Sequence, residues 1–206
     1  DDDVTDAAGN ALDDAAEPPT DEGYTIDNTT PSVTAITRSS PTASPTNNSS
    51  VTFAVSFSEP LDQVDAADFT LGSTPGGTAV IDGVSTSGDT TLTVASISGD
   101  GVLTLDVSGG GATKDPADNG LATSEPSTDE TYQIDQISPA ISSVTLGNDG
   151  SGNLAFSFES DEQLGGAASD LAVTVDGPAS GADVYSFDRS DFSESGSGPY
   201  TYTLST

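Results

Sequence analysis

The sequence predicts an all-β chain built from tandem two-sheet sandwiches, and three observations carry that prediction. Apolar and polar residues alternate in short runs, as on a strand with one buried face. Clusters of Gly, Pro, Asp and Ser cut those runs at short intervals, as turns do. A junction pattern, Tyr-x-Ile-Asp-x-x-x-Pro, occurs twice: Tyr24, Ile26, Asp27 and Pro31 return 108 residues later as Tyr132, Ile134, Asp135 and Pro139.

The alternation is clearest at Val51, Phe53, Val55 and Phe57, with Thr52, Ala54 and Ser56 between them. Hydrophobic residues make up only 33% of the chain and the formal net charge is -31, a balance that in a patternless sequence means disorder. Gathered into period-2 runs, the same residues can be buried together on one face of a sheet.

A period of 108 is the size of one immunoglobulin-like sandwich. The repeated junction then marks a last strand, a short linker and the first strand of the next domain, with Pro31 and Pro139 breaking the strand and stiffening the link. An upstream loop repeats as well: Asp6 to Leu12 is echoed by Asp115 to Leu121, including Asn10 and Asn119, at an offset of 109. A third echo sets Val51–Glu59 against Leu154–Glu159, ending in Phe-Ser-Glu and Phe-Glu. The chain is accordingly divided into residues 1–27, the C-terminal end of a preceding immunoglobulin-like domain; 28–136, a complete one; and 137–206, the N-terminal part of a following one.

Within 28–136 the expected strands are Val33–Thr37, Val51–Phe57, Phe69–Leu71, Thr78–Val84, Thr90–Ile97, Val102–Val107 and Tyr132–Ile134. Gly88-Asp89 and Gly99-Asp100-Gly101 supply turns, and residues 61–68 suit a single helical turn. Seven short strands fit a Greek-key sandwich, with an open barrel as the alternative. Residues 137–206 hold about five strands, ending at Tyr200–Leu204, by the same reading. Val, Phe and Tyr at alternate positions are core residues, and Tyr24 and Tyr132 are expected to pack on the final strands.

Charge excludes several function classes. The chain has 34 acidic residues and 3 basic ones, Arg38, Lys114 and Arg189. Three scattered cations cannot neutralise a nucleic-acid backbone or hold an anionic membrane surface. No run of 18 apolar residues is present, so direct membrane insertion is not expected of this segment. His and Cys are absent, which leaves Ser and Thr hydroxyls without an activating base and excludes thiolate metal sites and disulfides. The chain therefore reads as non-enzymatic. Carboxylates this dense suit a hypersaline setting, where the Debye length falls to about 3 Å at 1 M salt and self-repulsion is screened. With Asp1 in place of Met and no signal-like segment, the chain reads as an internal piece of a longer protein.

Asp6-Ala-Ala-Gly-Asn10, Tyr24-Thr-Ile-Asp-Asn-Thr-Thr-Pro31 and Val55-Ser-Phe-Ser-Glu-Pro-Leu61 resemble the bacterial-type immunoglobulin-like repeats of large surface adhesins. The stretch from Asp191 to Leu204 is similar to modules of haloarchaeal cell-surface and extracellular proteins. The resemblance implies a stalk-forming role outside the cell, with Ca²⁺ rigidifying domain junctions. The second linker departs from the family pattern, reading Asp135-Gln-Ile-Ser-Pro139 rather than Asp-Asn-Thr-Thr-Pro.

Topology places candidate Ca²⁺ ligands independently. The second strand ends at the pole where the first begins, so Glu59 returns toward the linker carrying Asp27, with Asp62 in the loop that follows. At the opposite pole Asp100 lies near Asp135, and Glu159 of the next unit is expected to face the same junction. Ca²⁺ takes six to eight oxygens, including carboxylates. Asn28-Thr-Thr, Asn47-Asn-Ser and Asn48-Ser-Ser are N-glycosylation sequons.

The expected function is mechanical: a stalk or filament segment outside the cell, whose partners are neighbouring domains of the same kind. One alternative is an adhesin module recognising a glycan or another cell surface. A second is a filament assembled by β-strand donation, the N-terminal strand of one copy filling the C-terminal unit of the next. That donation supplies the last strand but only a stub of the one before it, so the arithmetic favours a cut through a longer array.

Overall fold

The computed structural model describes residues 4–11, 22–86, 90–108, 112–176 and 184–204, and among them the chain is all-β. Leu12, the acidic Pro-containing stretch after it and the Gly88-Asp89 turn lie outside the described residues. The chain divides into two compact units at Gln136/Ile137. Among the described residues no helix is long and apolar enough to cross a membrane.

Unit 1 contains β1 (Val33–Ser40), β2 (Val51–Phe57), β3 (Phe69–Thr70), β4 (Val80–Ser85), β5 (Thr90–Ala95), β6 (Gly101–Leu103), β7 (Asp106–Val107), β8 (Thr128–Asp129) and β9 (Tyr132–Ile134). Its larger sheet runs in the order β4-β5-β2-β1-β8, antiparallel except for the parallel β1–β8 pair. Two smaller pairings, β3–β7 and β6–β9, complete it. The expected sixth strand is therefore two short strands with different partners, and β8 is additional. The helical turn is shorter than expected: a 3-10 turn at Ala66–Asp68, capped by Asp65, whose carboxylate accepts the Ala67 N–H while Asp68 accepts the Asp65 N–H.

Alternation becomes burial as the sequence predicts. Val51, Phe53 and Val55 of β2 point inward with Leu92 and Val94 of β5, Leu103, Leu105, Tyr132 and Ile134. Each such side chain contributes roughly 1.5–3 kcal/mol when fully buried. Tyr132 meets Phe53 edge to face at 5.0 Å, and its hydroxyl donates toward the carbonyls of Pro41 at 2.7 Å and Thr52 at 3.0 Å, so the ring brings no unpaired polar atom into the core. The Gly99-Asp100-Gly101 turn needs its glycine: Gly99 has φ +82°, and a Cβ there would come within 2.7 Å of the Gly77 nitrogen.

Tyr24 and Ile26 behave differently from their counterparts. Among the described residues no strand pairs with them, and they are 88% and 81% exposed, where Tyr132 and Ile134 are fully buried. The expectation that Tyr24 packs on a final strand is corrected here. A strand is stable only where an edge and an apolar face receive it, and none among the described residues does.

Unit 2 contains β10 (Ile141–Asn148), β11 (Leu154–Ser160), β12 (Val173–Asp176), β13 (Val184–Phe187), β14 (Phe192–Ser195) and β15 (Tyr200–Leu204). One sheet runs β10-β11-β15-β14, and β12 pairs with β13. Its core is aromatic: Phe158 stacks on Tyr202 at 5.0 Å and meets Phe192 edge to face at 5.4 Å. Arg189 lies 4.8 Å above the Tyr202 ring and pairs with Glu194.

Candidate metal centre

The pole where β1 begins is built by backbone that the linker cannot avoid. Pro31 is fully buried and its carbonyl accepts the Ala122 N–H at 2.8 Å, fixing the chain just before β1. Because β2 is antiparallel to β1, its end returns to the same place: the Ser58 N–H donates to the Ser32 carbonyl at 2.9 Å, and the Ser32 N–H to Ser58 Oγ at 3.0 Å. Glu59 follows at once, beside the linker residue Asp27.

A third carboxylate arrives from a loop of self-contained geometry. Asp115 Oδ1 accepts the N–H groups of Ala117 and Asn119, both at 2.8 Å, and Oδ2 accepts Asn119 Nδ2 at 2.8 Å. The same pattern holds Asp6 to Asn10 and Asp149 to Asn153. In unit 1 the loop also grips the linker, since Asn119 Nδ2 donates to the Asp27 carbonyl at 3.1 Å. Carboxylate oxygens of Asp27, Glu59 and Asp115 consequently lie within 4.8 Å of one another.

The electrostatics of the three differ. Burial pushes the Glu59 carboxyl up, and the nearby Asp27 and Asp115 charges push it further. At Asp115 burial also pushes upward, but the Asn119 side chain and the N–H groups of Asn119 and Ala117 outweigh it, so this carboxyl sits below its ordinary value. Glu59 Oε1 is buried without a hydrogen-bond partner among the described residues. A cation could satisfy an oxygen so placed. Oxygens bound to one Ca²⁺ at 2.3–2.6 Å lie up to about 5 Å apart, so the set fits that ion. Three carboxylates leave the remaining ligand positions to water or carbonyls.

Asp27 and Glu59 thus meet as topology predicts, while the other candidates stand elsewhere. Asp62 pairs through its backbone with Lys114, its N–H donating to the Lys114 carbonyl at 2.7 Å. Asp100 Oδ1 accepts the Gln136 N–H at 2.7 Å, and the Asp135 N–H donates to the Thr46 carbonyl at 3.0 Å. Among the described residues neither joins a set of three convergent acids. Glu159 is corrected in register. It lies within β11, paired with Ser142 and Thr201, rather than after the strand as Glu59 does. Val33 pairs with Phe57 and its repeat partner Ile141 with Ser160, so the residue of unit 2 that occupies the place of Glu59 is Glu162. The short Phe-Glu echo misplaces the alignment by a few residues because acids follow phenylalanine more than once here.

Asp115 is the member of this acidic triad that ligand spacing alone does not reveal. Its signal was the recurring Asp-x-x-x-Asn loop, whose copy at Asp115 and Asn119 folds onto the linker. Asn28, Asn47 and Asn48 are all exposed. The chain matches no family model, no curated protein and no solved structure.

Proposed function

We propose that this chain is a segment of an extracellular stalk made of tandem immunoglobulin-like modules, non-catalytic and adapted to high salt. The observation that carries the reading is the recurrence of one sheet order. Strands β1, β2, β5 and β4 lie side by side in unit 1, and β10, β11, β15 and β14 do so in unit 2. In unit 1 the remaining pairs, β3–β7 and β6–β9, supply strands outside that sheet, as a two-sheet immunoglobulin-like sandwich requires. Modules repeated end to end give length, and the absence of His and Cys from the sequence favours spacing over chemistry.

Calcium at Asp27, Glu59 and Asp115 would tie the incoming linker to the first complete module, making the joint stiff. The experiment is a Ca²⁺ titration by calorimetry in molar KCl. Saturable binding is expected, and Glu59→Gln or Asp115→Asn should weaken it by about tenfold or more. Absence of saturable binding would remove the metal from the proposal. The pH dependence has a definite sign. A carboxyl raised in the fold takes its proton above the ordinary glutamate range, so Ca²⁺ affinity should fall as pH drops through that raised value. Without the ion, the same raised value makes the fold lose stability as pH rises through it.

The mechanical reading has its own test. Pulling on tandem copies by force spectroscopy should give one unfolding event per module, each releasing the contour length of roughly 100 residues. The exposed sequons at Asn28, Asn47 and Asn48 would carry glycans in the native protein, which mass spectrometry of native material decides.

A further inference from the structure

Two stretches of unit 1 run side by side in the same direction. Residues 33–46 follow the linker as β1 and then as a polar stretch of Ser, Thr and Pro, and residues 128–135 carry β8 and β9. β8 pairs with β1 in parallel, Ala35 with Thr128 and Ile36 with Asp129, and the Glu130 N–H donates to the Ile36 carbonyl at 3.0 Å. Arg38 extends the contact: its N–H donates to the Glu130 carboxylate and its Nη1 to the Thr131 carbonyl, both at 2.8 Å. Beyond β1 the Gln133 N–H donates to Ser44 Oγ at 2.8 Å, the Thr46 N–H to the Gln133 carbonyl at 2.9 Å and the Asp135 N–H to the Thr46 carbonyl at 3.0 Å. Thr46 and Ile134 form a further parallel bridge.

Burial does not account for this ladder, since both residues of β8 are exposed and the stretch after β1 is polar. Its place between the two linkers does. The linker that carries Asp27 enters at the start of the first stretch, and Gln136 leaves at the end of the second. A pull on the two linkers therefore enters one stretch and leaves through its hydrogen-bonded neighbour. Because the two are parallel, the pull draws them in opposite senses along their length and strains their bonds together. Antiparallel neighbours pulled from a shared end, as β1 and β2 would be where Ser58 bonds to Ser32, open one bond at a time.

We propose that this ladder is the force-bearing clamp of unit 1: tension along the chain passes between residues 33–46 and 128–135, and the unit opens when the two stretches slide apart. The Tyr132 hydroxyl pins them from within, donating toward the Pro41 carbonyl at 2.7 Å. The bonds that join Ser44 and Thr46 to Gln133 and Asp135 link neutral groups, so molar salt does not screen them. A clamp of this kind rests on the stalk reading, yet the two are decided separately. Unfolding lengths in tandem copies test the stalk, and the direction of pull tests the clamp.

The sequence has no cysteine, so two introduced cysteines fix the direction of pull on the whole chain. Asn28→Cys with Ile137→Cys, both exposed, loads the ladder along its length. Asn28→Cys with Pro60→Cys, again exposed, loads β1 and β2 from the end they share. With a chelator present, so that no ion ties the linker, the first pair should open at a clearly higher force than the second at one loading rate. Ser44→Ala/Glu130→Ala removes the acceptors of the Gln133 and Arg38 N–H groups. It should raise the opening rate at constant force about fivefold or more across Asn28 and Ile137, and change it by less than about twofold across Asn28 and Pro60. Equal lengths released by the variant and its parent show that both were folded before the pull. Similar forces in the two directions overturn the clamp. So does a Ser44→Ala/Glu130→Ala variant that opens across Asn28 and Ile137 at the parent rate, or one accelerated equally in both directions.

Discussion

Units 1 and 2 begin with nearly the same two strands and end with different surfaces. Val33 and Ile36 on β1 are buried, while Ile141 and Val144 at the same places on β10 are half exposed or more. The two pairs are chemically equivalent, so their own hydrophobicity does not decide their burial. The cover does: β8 and β9 lie beside β1 and over its sheet, and among the described residues no strand of unit 2 does this for β10. Unit 2 compensates by concentrating its core in aromatic rings, with Phe156, Phe158 and Phe192 in mutual contact and Tyr202 stacked on Phe158. An alternating run therefore specifies which face of a strand seeks burial, and topology specifies whether it finds it.

The sharpest way to break that contrast is to remove the cover in unit 1. Tyr132→Ala deletes a fully buried ring that contacts Phe53 and opens a cavity. It should destabilise unit 1 by about 3–5 kcal/mol. Val144→Ala in unit 2 removes atoms that already face solvent in the isolated chain and should cost no more than about 0.5 kcal/mol. Urea unfolding of the two variants at low protein concentration, with transitions followed separately, compares them. Equal effects would mean that β10 is as well covered as β1.

A smaller contrast lies in the arginines. Arg189 is packed over Tyr202 and bonded to Glu194, whose carboxylate also accepts the Tyr202 hydroxyl at 3.2 Å. Both charged side chains are mostly buried, at 24% and 20% exposed. Arg189→Gln leaves the Glu194 charge without its partner and should cost unit 2 about 1–3 kcal/mol. Thermal unfolding of the variant in molar KCl checks this, and a loss unchanged by further salt is expected because the pair is shielded from solvent ions.

Strand positions were the most legible part of the sequence. Val51, Phe53 and Val55 alternate without interruption, and β2 forms where they lie. Splitting of the run from Val102 to Val107 was not legible, because its inward residues Leu103, Leu105 and Val107 keep one period while the two halves pair with different neighbours. β8 has only two residues and both are exposed, so it carries no hydrophobic signal at all. At the candidate metal centre, the approach of Glu59 to Asp27 follows from antiparallel pairing and could be read in advance. Asp115 joins them through a loop closed by its own hydrogen bonds, which no strand periodicity encodes.

The weakest expected effect concerns the arginine–glutamate pair of unit 1. Arg38 and Glu130 approach at 3.5 Å with side chains 26% and 40% exposed, so solvent and salt screen them more. Glu130 also accepts the backbone N–H of Arg38 at 2.8 Å, and a glutamine carbonyl can keep that bond. Glu130→Gln therefore removes mainly the Coulombic attraction, at about 0.2–1 kcal/mol in dilute salt. In molar KCl the difference from wild type should shrink toward zero. A penalty that persists there would show Glu130 to be held as tightly as Glu194, and the difference between a covered edge and an aromatic core would not extend to their ion pairs.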